Sequence, residues 1–189
     1  MDAQPKTYLS PEAYLELERK ADFKSEYFNG ETFALSGASE KHVTITINIG
    51  AELRQQFKKR PCKVYSSDMR VKVSPTGLYT YPDMVAVCGE PKFEDNVQDT
   101  LLNPTVIFEV LSESTERYDR GKKFEHYRQI ESLKEYILVA QDRLSVEQFV
   151  RQPNGKWLLS EAHRKDETID LLSVQAKLSL EEIYDKVSF

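Results

Sequence analysis

The sequence predicts a mixed α/β fold, of the α+β kind, in which a mixed β-sheet is flanked by helices. Three observations predict it. The centre of the chain carries short runs rich in Val and Ile, CKVYSSDMRVKV, PDMVAVC and TVIFEVL, separated by turn-formers or polar loops, as strands require. TVIFEVL is almost continuously apolar, which suits a strand buried on both faces. A helical stretch over about residues 118–132 follows it, and then YILVA, a second buried-strand pattern. Strand, helix and strand in that order imply a crossover unit with parallel pairing. The 189 residues suit a single domain spanning residues 1–189, long enough to bury a core.

From the N-terminus, Pro11 and the following EAYLELERKAD read as a short helix with Ser10 as N-cap and proline in the first turn. FKSEYFNGETFAL holds two short alternating runs around Asn29-Gly30, the pair that suits a two-residue type I′ hairpin turn. On the first run Lys24, Glu26 and Phe28 share one face, and Ser25 and Tyr27 the other. Residues 39–59 carry two periods at once. Val43, Ile45, Ile47 and Ile49 alternate as in a strand, whereas Ile45, Ile49, Leu53 and Phe57 recur every four residues. The length and the closing LRQQFKKRP favour a helix that ends before Pro61. Beyond the centre, LSVEQFV and KWLLSEA, joined through Gln152-Pro153-Asn154-Gly155, read as a hairpin, and LSLEEIYDKV as a short C-terminal helix. Several of these strands are expected in one mixed sheet with flanking helices.

Composition closes off several classes. With 40% hydrophobic and 30% charged residues the chain is ordinary for a globular protein, so wholesale disorder is not expected. No apolar run approaches the roughly 18 residues needed to cross a bilayer. The opening MDAQPKTYLSPEAYLELERK lacks the charged-then-apolar layout of a secretory signal. Two cysteines, Cys62 and Cys88, exclude a four-cysteine zinc site and suggest no disulfide framework, so a reducing, cytoplasmic location is the expectation. A formal charge of −5 argues against a surface coated in basic residues, yet leaves room for a local basic groove. No Gly-rich phosphate loop, nucleophile elbow or cysteine–histidine pair is present.

Two residues stand out by their neighbours. Asp83 opens PDMVAVC and Glu109 sits in the middle of TVIFEVL. A carboxylate in a buried strand is costly unless it is paired, protonated or bound to metal. The plain alternative is that Asp83 ends a turn after Pro82 and Glu109 forms a buried salt bridge. Together, two carboxylates on neighbouring strands with a lysine nearby provide what a hard cation and an activated water need. For the lysine, Lys123, Tyr127 and Ile130 fall at i, i+4 and i+7 and share one helical stripe, which draws Lys123 toward the sheet and leaves Lys122 as the solvated alternative.

YPDMVAV and the long run NPTVIFEVLSESTERYDRGKKFEHYRQIESLKEYILV resemble the Uma-two family of restriction-endonuclease-like proteins, whose fold is that of PD-(D/E)XK nucleases. EYFNGE and SSDMRVKV match the same pattern, so the resemblance covers most of the chain. It implies a restriction-endonuclease-like domain hydrolysing phosphodiesters, with DNA as partner, Mg²⁺ or Mn²⁺ as cofactor, and a homodimer as an arrangement common among nucleases of this fold. Asp83 matches the aspartate of the Pro-Asp half of the motif and Glu109 its (Asp/Glu). Where the nuclease pattern has lysine two residues after the acid, this chain has Leu111. In the family pattern that lysine has moved to the following helix, at Lys123. Glu26 matches the family's early glutamate, a third metal ligand beside Asp83 and Glu109. The departure at Leu111 leaves a catalytically degenerate nucleic-acid-binding or interaction module as the alternative.

Weaker candidates remain. Asp68 is polar within a strand pattern, in a supporting or merely edge role. His42 matches a histidine the family often carries and reads as a structural or surface residue, with contact to a phosphate or water as the alternative. His126 and His163 show no metal-ligand spacing. Ser112, Ser114 and Thr115 read as caps. Arg117, Arg120, Lys122, Arg128 and the basic run at 54–60 are candidates for phosphates or plain solvated charges.

Overall fold

The computed structural model describes residues 8–189; the first seven residues, which open the segment read above for a signal, lie outside them. The helices are α1 (Pro11–Glu18), α2 (Glu40–Gln56), α3 (Glu116–Tyr118), α4 (Phe124–Tyr127) and α5 (Leu180–Ile183), with a π-helical turn over Asp119–Lys123. The strands are β1 (Ser25–Phe28), β2 (Glu31–Ala34), β3 (Cys62–Ser66), β4 (Arg70–Val73), β5 (Leu78–Thr80), β6 (Met84–Cys88) and β7 (Thr100–Leu101). They continue as β8 (Val106–Leu111), β9 (Glu135–Ala140), β10 (Val146–Arg151), β11 (Trp157–Ala162), β12 (Thr168–Leu171) and β13 (Ala176–Ser179). Among the described residues no helix is long and apolar enough to cross a membrane.

The α+β class holds, with several strands in one mixed sheet, and the remaining strands form two further sheets. A six-stranded sheet runs β11-β10-β9-β8-β6-β3, a five-stranded sheet β2-β1-β5-β4-β7, and β12 pairs with β13 alone. The division happens inside CKVYSSDMRVKV. The chain turns at residues 66–69, where the Met69 N–H donates to the Ser66 carbonyl at 3.0 Å, and β3 and β4 leave in different sheets. The expected crossover is present: β8 and β9 pair in parallel, with the helical segment between them.

Helix α2 settles the double period of residues 39–59. Ser39 caps it, accepting from the His42 N–H at 3.2 Å, and Ile45, Ile49 and Leu53 are buried while Val43 and Ile47 are exposed. It packs on one face of the large sheet against Met84, Ala86, Phe108 and Val110. Contact is close enough that a Cβ at Gly50 would lie 2.9 Å from Met84 Cε, so a larger residue there would have to push aside the end of that flexible side chain. The opposite face carries Val85, Ile107, Leu111, Tyr136 and Leu138, covered by Tyr127 and Ile130. Strand β8 is thereby buried on both sides, which is why its sequence is nearly continuously apolar.

Asn29 and Gly30 take the paired positive φ values, +49° and +82°, of a type I′ turn between β1 and β2. The helix expected over 118–132 starts two residues earlier and ends at Tyr127, with short turns carrying Gln129 and Ile130 onward. Against the expectation of a chain without disulfides, Cys62 and Cys88 are joined by one. They stand 26 residues apart, and only the β3–β6 register, which sets them opposite each other, makes them neighbours.

Candidate functional site

The register of β6 on β8 pairs Met84 with Phe108 and Val85 with Ile107. Carried one step past the end of β6, it sets Asp83 opposite Glu109, and residues directly opposite share a sheet face. Asp83 is held at the strand end: its Oδ2 accepts from the Val110 N–H at 2.7 Å and lies 3.1 Å from His42 Nε2, at the first turn of α2. Glu109 is buried, and its Oε1 accepts from the Tyr127 hydroxyl at 2.9 Å. Among the described residues, Asp83 Oδ1 and Glu109 Oε2 make no hydrogen bond.

Lys123 is buried, and its ammonium lies 2.9 Å from Glu109 Oε1, 3.4 Å from Asp119 Oδ1 and 3.5 Å from Glu26 Oε1. Lys122, next to it, is exposed. Glu26 reaches the cluster from β1 of the five-stranded sheet, taking further bonds from the hydroxyls of Thr80 and, at 3.2 Å, Tyr118. Asp83, Glu109, Glu26, Lys123, Asp119 and His42 all line one open cleft of about 1010 Å³. The π-helical turn contributes to this. In a wider turn, residues four apart stack more nearly above one another, and Asp119, Lys123 and Tyr127 are all buried.

The electrostatics follow from burial and an excess of carboxyl groups over cations. Burial pushes the Glu109 carboxyl up; Lys123 pulls it back, Asp119 and Asp83 push it further, and it ends well above the usual carboxylate range. Asp119 is raised by burial in the same way, against the pull of Lys123. Burial alone would lower the Lys123 ammonium, but Glu109, Glu26 and Asp119 outweigh it and hold it well above the usual lysine range. For His42 the contest is between burial, which lowers, and Asp83, which raises; Asp83 prevails.

The fold thus brings together Asp83, Glu109, Glu26 and Lys123. Leu111, two residues beyond Glu109, is buried in the apolar cluster on the same face. Asp68 stands at the cleft rim, largely exposed and paired with Lys24 at 2.8 Å. His126 packs edge-on to Phe28 at 4.9 Å, and His163 is exposed. Ser112 caps the turn that enters α3, accepting from the Thr115 N–H at 3.2 Å. Arg120 is tied to Glu116 and Glu147, whereas Arg117, Lys122 and Arg128 are exposed. Asp119 was not singled out by the sequence, although its place four residues before Lys123 on one helix was the available signal. His42, weighed as a structural or surface residue, is structural: its ring holds Asp83.

Among the described residues no three Asp, Glu, His or Cys side chains converge as a ready-made metal cage. Mg²⁺ does not need one, since it keeps several waters and binds through one or two carboxylates plus substrate phosphates. Hard oxygen donors in excess of the single ammonium, with Asp83 Oδ1 and Glu109 Oε2 unbonded, fit a cation of that kind.

The chain is 38% identical over 153 residues to "Uncharacterized protein sll1609" of Synechocystis sp., covering 81% of this chain and 86% of that protein. It is 31% identical over 181 residues to "Uncharacterized protein slr1290" of the same organism, covering 96% and 94%. A crystal structure from Anabaena variabilis, titled as a putative nuclease belonging to DUF820, superposes with a TM-score of 0.76 over 94% of this chain and 98% of its own. At 18% identity that likeness speaks for the fold alone. The family model Uma2, described as "Putative restriction endonuclease", matches residues 11–181, and the chain belongs to that family.

Proposed function

We propose that the chain acts as one domain, residues 1–189, and is a cytoplasmic, metal-dependent endonuclease of the PD-(D/E)XK type that hydrolyses phosphodiester bonds in DNA. One observation carries the reading: the Lys123 ammonium stands among Glu109, Asp119 and Glu26, with Asp83 set opposite Glu109, on the floor of an open cleft. The family description and the nuclease-like fold of the Anabaena structure support it.

Asp83 and Glu109 would hold Mg²⁺ or Mn²⁺, and Glu26 would complete the shell by anchoring one of the cation's waters. When bound, the cation polarises the scissile phosphate and makes its water more acidic. The remaining work falls to the chain. Val110 and His42 fix the Asp83 carboxylate, and the Tyr127 hydroxyl fixes Glu109. Lys123 orients the attacking water and offsets charge developing on the phosphate oxygens, because its ammonium is already placed and desolvated.

The test is cleavage of plasmid and single-stranded DNA with Mg²⁺ or Mn²⁺, set against Ca²⁺. Wild-type protein is expected to cut with the first two only, since Ca²⁺ accepts looser coordination. Glu109→Gln is expected to lose metal binding and cleavage together, and cleavage that survives it sinks the reading. Buried Leu111 in the usual lysine position favours a second reading, a degenerate nucleic-acid-binding or interaction module. Calorimetric metal binding without turnover on any nucleic acid would select it.

A further inference from the structure

Helix α2 turns one side to the sheet and leaves another bare. Ile47 is 63% and Val43 45% exposed, and Glu40, Ala51 and Arg54 are exposed with them. These five residues follow one another at spacings of three or four, so they form a single stripe along the helix. The stripe has a centre. Val43 and Ala51 lie four residues either side of Ile47, and Glu40 and Arg54 lie seven either side. Among the described residues neither Glu40 nor Arg54 has an ion-pair partner; Glu40 accepts only from the Thr44 hydroxyl at 3.0 Å.

A pattern with apolar residues placed symmetrically and charges placed antisymmetrically is complementary to itself when reversed. Two copies laid antiparallel across a two-fold axis at Ile47 bring Ile47 against Ile47, Val43 against Ala51, and Glu40 against Arg54 at both ends. That is the isologous arrangement of a closed dimer, in which the same patch serves both subunits. We propose that α2 pairs in this way with α2 of a second copy of the chain.

A nucleic acid is the other macromolecule the stripe could meet, and its chemistry fits less well. Protein surfaces that bind nucleic acid are polar and positively charged. Here the middle is aliphatic, and the end nearest the cleft carries Glu40, which repels phosphate. Val43 and Ile47 also edge the cleft, so the pairing sets the clefts of the two subunits beside the dyad. A single helix pair is small for an interface, which puts the association at the weak end of specific complexes.

Sedimentation equilibrium of the full chain, from micromolar to sub-millimolar concentration, reads the result. Wild-type protein is expected to pass from monomer to dimer across that range. Ile47→Glu is expected to remove the dimer, and Ile47→Ser to weaken it through lost burial alone; both sit at an exposed position, and unchanged circular-dichroism melting confirms the fold. Glu40→Arg and Arg54→Glu each set like charges against each other and are expected to weaken association by roughly tenfold, whereas the double variant restores it. A chain that stays monomeric throughout overturns the proposal, as does a dimer indifferent to Ile47→Glu or a double variant no better than the singles. Loss of DNA retention with Ile47→Glu in a monomeric wild type would reassign the stripe to nucleic acid.

Discussion

Glu109 is in conflict with its surroundings in a measurable way. Its folded-state pKa lies above its unfolded one because burial and the neighbouring acids disfavour its charge. A group raised in that direction contributes stability fully below its ordinary value of 4.5, and that contribution is lost as pH rises through the folded value. Glu109→Gln keeps the shape and the neutral state, and it leaves Lys123 paired with Glu26 and Asp119. Scanning calorimetry should therefore find the variant about equal to wild type near pH 4 and more stable near pH 8. A lower melting temperature at pH 8 would mean that the pair with Lys123 outweighs the burial of Glu109. Asp83 and Glu109 could be found from sequence because a charge inside an apolar run is conspicuous. Asp119 and His42 are less conspicuous, because each sits among polar neighbours, Arg117-Tyr118-Asp119-Arg120 and Ser39-Glu40-Lys41-His42. Which charged side chain turns inward there is decided by what the helix packs against.

The segments best foreseen are those whose period the core enforces. Ile45, Ile49 and Leu53 fix α2 as a helix, and Asn29-Gly30 fixes the first hairpin. The break between β3 and β4 is marked only by the polar run Ser66-Ser67-Asp68, which signals a turn but not that the strands on its two sides join different sheets. Strand β7, two residues long, is too short to show any period. The π-helical turn has no signature in sequence spacing, yet it can be probed. Gly121 lies within it, exposed, with no atom within 4 Å of a Cβ built there. Gly121→Ala should then stabilise by about 1 kcal/mol through helix propensity, a rise in melting temperature of about 2–4 °C. No rise would mean that this turn is not helical in solution.

Across the whole molecule, the two larger sheets share an apolar cluster, in which Val71, Val73, Leu78 and Leu101 of the five-stranded sheet join Val85, Ile107 and Leu138 of the six-stranded one. A second cluster joins Tyr14, Tyr27 and Tyr79 beneath α1, and the shared cluster and a third lie on either side of β8. The Lys123 ammonium bridges Glu26 of one sheet and Glu109 of the other. Replacing it by Met leaves several buried carboxyl groups with no cation, and breaking a buried pair in that way costs about 3–5 kcal/mol near neutral pH. Urea unfolding should show that loss, and show it shrinking on acidification as the carboxyl groups take up protons. A loss that does not change with pH would trace to packing instead. The same bridge also sets which parts of the protein open first. Amide protons of the β1–β2 hairpin are shielded by a short pairing with β5 at Tyr27 and Tyr79 and by whatever holds Glu26 in place, whereas those of β8 and β9 lie in the middle of the large sheet. In Lys123→Met the hairpin should exchange its amide hydrogens faster, and gain more in rate than β8 and β9 do, so that one side chain governs a local opening on top of its share of the global stability.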